Sequence, residues 1–215
     1  RNKTKKQIAD LRRKVEEGNA KAHHTLGLLY LMGQGVPQNY TVAREWFERA
    51  AAQGHAGAQY DLGLLYANGE GVPQDYKKAA QWYEKAAAKG NAQGQHTLGV
   101  LYENGQGMLQ DYAKARQWFE KAAAQSYAEA QYHLGFLYAK GLGVPQDYAK
   151  ARGWYEQATA QGHMGAMLNL GLLYIEGQGV PQDDTKARQW WKTAAAQGDT
   201  NAQKILEIMF AYTEE

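Results

Sequence analysis

The chain has 215 residues, no cysteine and a single serine, Ser126, which excludes a disulfide scaffold, a thiolate metal site and a cysteine nucleophile and leaves almost no serine-nucleophile chemistry. With 24 basic against 22 acidic side chains the net charge is +2, so nothing draws the whole molecule to nucleic acid or a membrane surface. A hydrophobic fraction of 44% supports a real core, and no apolar run approaches the roughly eighteen residues of a membrane span.

Residues 1–19 read as an amino-terminal capping helix. They align with the second half of the repeat described next, but keep only a thin apolar stripe, Ile8, Leu11 and Val15. Their charge is basic (Arg1, Lys3, Lys5, Lys6, Arg12, Arg13, Lys14), which reads as a soluble cap or the tail of an upstream segment rather than a phosphate or lipid site. A start at Arg1 fits a chain that has lost a signal peptide or an upstream domain.

From residue 20 the sequence repeats. Trp46, Trp82, Trp118, Trp154 and Trp190 are spaced by 36, as are Gly27, Gly63, Gly99, Gly135 and Gly171. Five copies follow without a linker, at 20–55, 56–91, 92–127, 128–163 and 164–199. In the second copy, Ala58, Leu62, Leu65 and Tyr66 form one stripe, which predicts a helix over 56–68. Gly69 stops it, and Gly71-Val72-Pro73 makes a loop. Asp75 then caps a second helix over 76–88, striped by Ala79, Trp82, Tyr83, Ala86 and Ala87. Asp111, Asp147 and Asp183 are expected to cap likewise, and Asn91 to cap the next first helix. Neither helix hides its stripe alone; stacked neighbours hide it. Residues 200–215 read as a carboxy-terminal capping helix, with Ala202, Leu206 and Phe210 in the first-helix columns and Glu207 where complete copies have glycine.

Two packing expectations follow. Glycine within a helix costs about 1 kcal/mol against alanine, so Gly27 and its equivalents predict a close approach of the paired second helix, near Ala43 and its equivalents. The tryptophan column is expected to be a spine of five buried indoles between copies.

The pattern A-x-x-x-L-G-x-L-Y-x-x-G-x-G-V-x-x-D-x-x-K-A-x-x-W-x-x-x-A-A-x-x-G, over about residues 20–200, resembles the Sel-one-like repeat family, a relative of the tetratricopeptide repeat. Leu109 departs from its proline, Ser126 from its glycine, Thr159 from its alanine and Asp184 from its tyrosine. The resemblance implies an all-α, right-handed α-solenoid and a non-enzymatic adaptor that binds a protein or peptide. Relatives of that kind in bacteria are often exported, surface-associated or host-directed, with a cytoplasmic location as the alternative. A small-ligand binder for cell-wall fragments, and a structural or designed consensus solenoid without a partner, are the other readings.

By likeness to tetratricopeptide arrays, first helices line the concave face. Residues there that vary between copies are the binding candidates: His24, Tyr60, His96, Tyr132 and Leu168 in one column, with Asp61, His133 and Asn169 beside it. Asn68 and Asn104 mark the inner end, together with Met32, Lys140 and Glu176. Phe136 is a further binding candidate, although its column with Leu28, Leu64, Val100 and Leu172 as a whole reads as core rim, whereas a column alternating His and Tyr reads as a contact surface because a core column should not alternate in polarity. No basic clamp for an acidic chain end stands on this face.

The second helices read as a solvated face, with Arg116/Glu120 and Arg152/Glu156 pairs. The six histidines lack a metal-ligand spacing, and the repeated Gly-x-Gly follows a helix and recurs, so it is a turn device. No cofactor, metal or nucleic-acid partner is expected, and the chain is expected to be a monomer.

Overall fold

The structure, a computed structural model, describes residues 2–210, with side chains from Lys5 onward. Arg1, the Lys3 side chain and residues 211–215, on which parts of the two capping expectations fall, lie outside the described residues. The described residues form twelve α-helices and no strand. The chain groups into two compact units that divide between Asp111 and Tyr112, inside the third copy.

The first unit runs α1 (Asn2–Glu16), α2 (Ala20–Met32), α3 (Tyr40–Ala52), α4 (Ala56–Asn68), α5 (Tyr76–Ala88) and α6 (Ala92–Asn104). The second runs α7 (Tyr112–Ala124), α8 (Ala128–Lys140), α9 (Tyr148–Ala160), α10 (Met164–Glu176), α11 (Asp184–Ala196) and α12 (Thr200–Phe210). Within each unit every helix packs on the next in the chain. The predicted bounds 56–68 and 76–88 are those of α4 and α5.

The caps explain why the helices begin where they do. Asp75, Asp147 and Asp183 accept from the amides of Lys78, Lys150 and Lys186, and Asn91 accepts from Gly94. At two junctions a histidine does this work. His55 Nδ1 accepts from Ala58 N and His163 Nδ1 from Ala166 N, both at 3.1 Å. Gly69 and its equivalents end the first helices in the left-handed region.

The core differs from the expected tryptophan spine. Trp46, Trp82, Trp118, Trp154 and Trp190 are only half-buried. The buried ring column is the next residue along: Phe47, Tyr83, Phe119, Tyr155 and Trp191, all 2% exposed or less. These rings withdraw on the order of 200 Å² each from water. The indoles lie at the edge of the core, Trp82 and Trp190 each against a buried cluster of Ala and Leu side chains. Their outer faces are covered by cations one turn on: Arg49 lies 4.7 Å from the Trp46 ring, and Lys85 and Lys121 lie 4.5 Å from Trp82 and Trp118.

The same column explains the mid-helix glycines. A Cβ at Gly27 would fall 2.5 Å from a ring carbon of Phe47, with Ala43 O next at 3.2 Å. The close approach expected at Ala43 is therefore made first by the ring four residues later. Gly63, Gly135 and Gly171 meet Tyr83, Tyr155 and Trp191 in the same way.

Neighbouring copies are joined by two further devices. From the second copy on, the second glycine of the Gly-x-Gly lets a loop lie on the start of the preceding second helix: a Cβ at Gly107 or Gly143 would come 2.6 Å from the carbonyl carbon of Tyr76 or Tyr112. Buried amides supply the other link. Gln59, Gln95 and Gln131 donate to the carbonyls of Ala51, Ala87 and Ala123 at 3.2–3.5 Å, each reaching back to the second helix before it.

The capping helices keep one apolar side. Ile8 is buried and Leu11 and Val15 half-buried against α2; Ala202 is buried while Glu207 is exposed.

Candidate functional site

The face built by the first helices carries every candidate residue, and the structure sorts them by what they touch. In the first unit, His24 Nε2 lies 2.5 Å from Asp61 Oδ2, each side chain less than a fifth exposed. This joins two neighbouring first helices. The His24 ring also lies 4.6 Å from His55 and 5.6 Å from Phe47. Burial, and then the neighbouring His24, lowers the His55 pKa from its ordinary 6.5. Tyr60 packs 5.7 Å from Tyr83 and hydrogen-bonds Thr97; burial pushes its phenol up, as it does those of Tyr83 and Tyr155. His96 is half-buried on α6. Asn68 and Asn104 are exposed at the helix ends, where Asn104 Nδ2 reaches Gln106 at 3.5 Å.

In the second unit, Tyr132 stacks on His163 at 4.6 Å, meets His133 edge-on at 5.6 Å and lies 6.1 Å from Tyr155. His133 stacks on Phe119 at 4.9 Å. His163 also pairs with Glu129 at 2.9 Å. Asn169 Nδ2 donates to Tyr155 Oη at 3.2 Å, and the Leu168 carbonyl accepts from Trp191 Nε1 at 3.1 Å. Hence part of the polarity alternation has a use inside the fold. The imidazoles of His24 and His163 and the phenol of Tyr132 fit against rings at the far end of their own copy and remain partly open to solvent.

The candidates that share an open cleft are Phe136 and Asn169. Together with Leu172, Leu173 and Tyr155 they line a space of about 360 Å³ between α8 and α10. Its rim carries Lys140 and Glu176, with Gln146 and Gln178 from the loops. Leu172 is 41% exposed, so the Phe136–Leu172 column, which read as core rim, presents accessible apolar surface here. The loop amides were missed. For Gln146 the signal was its place before the capping Asp147, from which it donates back to Ala139 O at 2.8 Å; Gln178, the middle residue of a Gly-x-Gly, donates to Tyr148 Oη at 3.1 Å.

On the second helices, Arg44, Arg116 and Arg152 pair with Glu48, Glu120 and Glu156 at 3.6, 3.0 and 3.7 Å. A shallow cleft in the first unit lies between Tyr66 and Trp82, each ring covered by a lysine. Among the described residues no helix is long and apolar enough to cross a membrane.

Capped helix pairs in tandem, with a variable first-helix face, define an α-helical repeat protein of the solenoid class. The Sel1 repeat model matches residues 20–55, 56–91, 92–127, 128–163 and 165–199, and the chain belongs to the Sel1 repeat family. A protective antigen of uropathogenic Escherichia coli strains with an SLR fold is 44% identical, with a TM-score of 0.91 over 94% of this chain. This chain spans 43% of the antigen's length. A Sel1 repeat protein from Oxalobacter formigenes is 35% identical over 88% of this chain and 76% of its own, with a TM-score of 0.84. Cysteine rich protein B of Helicobacter pylori is 27% identical over 62% of this chain and 96% of its own, with a TM-score of 0.50. The comparison with curated proteins gives no match. Sel1 repeats mediate protein interactions, and proteins built from them are mostly non-catalytic scaffolds.

Proposed function

We propose that this chain is a non-enzymatic interaction scaffold that receives a peptide or an exposed stretch of a partner protein on its first-helix face. The cleft at Phe136 and Leu172 carries the reading. It offers an apolar floor, side-chain amides on the rim and solvent access, which suits an extended chain better than an enclosed small molecule. In this reading Phe136, Asn68, Asn104 and the open edges of Tyr60, His96, Tyr132 and His133 touch the partner. His24, Asp61, Leu168 and Asn169 set the positions of the rings beside them.

The test is selection of peptides from a displayed random library on the purified chain, followed by binding to a Phe136→Ser/Leu172→Ser variant. The selected peptides are expected to lose at least about tenfold in affinity on that variant. They should be unaffected by Arg116→Ala on the second helix α7, outside the cleft lining. Circular dichroism checks that the variants remain helical. Peptides that bind the double variant as well as the parent overturn the reading.

A further inference from the structure

The charges on the rim of the second unit's cleft narrow the kind of peptide that fits. Lys140 ends α8 and Glu176 ends α10, at equivalent places in adjacent copies, and both line the same cleft. Both are exposed, and among the described residues neither makes an ion pair. Elsewhere in this unit the chain does pair its charges: Arg116 with Glu120, Arg152 with Glu156, His163 with Glu129. Phe136 and Leu172 occupy the floor between the two ends.

Equivalent points on neighbouring repeats stand about 10 Å apart. In an extended peptide, which advances about 3.3 Å per residue, alternate side chains share a face, so residues i, i+2 and i+4 present one face about 13 Å long, and the flexible Lys140 and Glu176 side chains take up the difference. From this juxtaposition we propose that the cleft recognises an extended peptide segment bearing an acidic and a basic side chain four positions apart, with a bulky apolar residue midway between them. The acid lies on Lys140, the base on Glu176, and the apolar side chain enters between Phe136 and Leu172. The donors and acceptors of Asn169, Gln146 and Gln178 stand where the peptide main chain passes. Since the two charges are of opposite sign, the cleft has a polarity. With the main chain held in one direction by those donors and acceptors, a segment of the right composition in the reverse order sets like charges against each other.

This inference rests on the first-helix face being the binding face, and its test separates the two. The probes are two blocked peptides of identical composition, with cores Asp-Ala-Phe-Ala-Lys and Lys-Ala-Phe-Ala-Asp, measured by fluorescence anisotropy at low salt. The full chain is expected to favour one order about fivefold to tenfold, since each exposed charge pair contributes modestly. The exchange variant Lys140→Glu/Glu176→Lys, which keeps composition and net charge, is expected to favour the other order by a similar factor. About 0.5 M salt should erase both preferences. Equal binding of both orders by the parent, or the same preference in parent and exchange variant, overturns the proposal. If the library-selected peptides still depend on Phe136 and Leu172, the scaffold reading stands without it. If they do not, both fall.

Discussion

Gly135 sits flat against Tyr155: a methyl group there would meet two ring carbons at 2.5 and 2.6 Å. The ring is 2% exposed, and its hydroxyl accepts from Asn169, so it has little freedom to move aside. Gly135→Ala gains up to about 1 kcal/mol of helix propensity but forces an overpacked contact worth about 1–3 kcal/mol. The expected result is a net loss of about 1–2 kcal/mol in chemical denaturation. Gly153 is the control. It lies within α9 with nothing inside 4 Å of the position a Cβ would take, so Gly153→Ala should stabilise by about 0.5–1 kcal/mol. Destabilisation of equal size by both substitutions would show that the ring contact is not the cause.

Ser126 is the one non-glycine residue with positive φ among the described residues, at 63°. Gly18, Gly54, Gly90, Gly162 and Gly198 hold the equivalent turn at φ values between 77° and 94°. An L-residue there bears a steric penalty of roughly 1–2 kcal/mol that glycine avoids. Part of that is offset because glycine also gives the unfolded chain more freedom. Ser126→Gly is expected to raise stability by about 1 kcal/mol, read as an upward shift in melting temperature. A neutral or lower value would mean that the serine hydroxyl supports the turn.

The sequence displayed the repeat, the helix bounds and the caps because each depends on local chemistry. An Asp before a helix, a Gly after it and a 36-residue step are visible without knowing what packs on what. The burial order was not visible in the same way. An unvarying Trp46–Trp190 column attracts attention, while its neighbour varies between Phe, Tyr and Trp. Both keep the same step, and only the approach of Gly27 or Gly135 to a particular ring decides which one is inside. The candidate face was half legible for a related reason. Columns reveal which positions vary, but not that His24 meets Asp61 in the next copy or that Tyr132 rests on His163. Leu172 and the rest of the Phe136 column read as core rim because the residues are apolar in every copy. The exposure of Leu172 follows from the width of the cleft, which no single copy encodes.

Stability should fall in mild acid through His55. Its Nδ1 must be unprotonated to accept from Ala58 N. Burial and the neighbouring His24 disfavour its charged form, as Lys21 does more weakly, while Asp61 and a backbone hydrogen bond favour that form. The net effect lowers the folded pKa below the unfolded 6.5. Between the two values the unfolded chain binds more protons, so stability is complete above about pH 6.5 and declines as pH falls toward the folded pKa. Replacing His55 by Asn keeps a capping oxygen, as Asn19 and Asn91 do at equivalent junctions. Melting temperatures from pH 7.5 to 5 should drop more steeply for the parent than for His55→Asn. Parallel curves would place the acid sensitivity elsewhere.

Gln59 tests whether a buried amide link is needed for stability or only for register. It is 4% exposed and donates to Ala51 O, but its own Oε1 has no hydrogen-bond partner. Ala51 O also accepts from Gly54 N at 2.9 Å, so removing the amide does not orphan the carbonyl. The fifth copy already shows the substitution, with Met167 in the same column at 3% exposure. An apolar side chain of similar length removes one unsatisfied oxygen and one hydrogen bond together, two effects of comparable size and opposite sign. Gln59→Met is therefore expected to lie within about 1 kcal/mol of the parent, whereas Gln59→Ala, which leaves a void, should cost about 1–3 kcal/mol. If Met is as damaging as Ala in urea titrations, the hydrogen bond rather than the filled volume joins the copies.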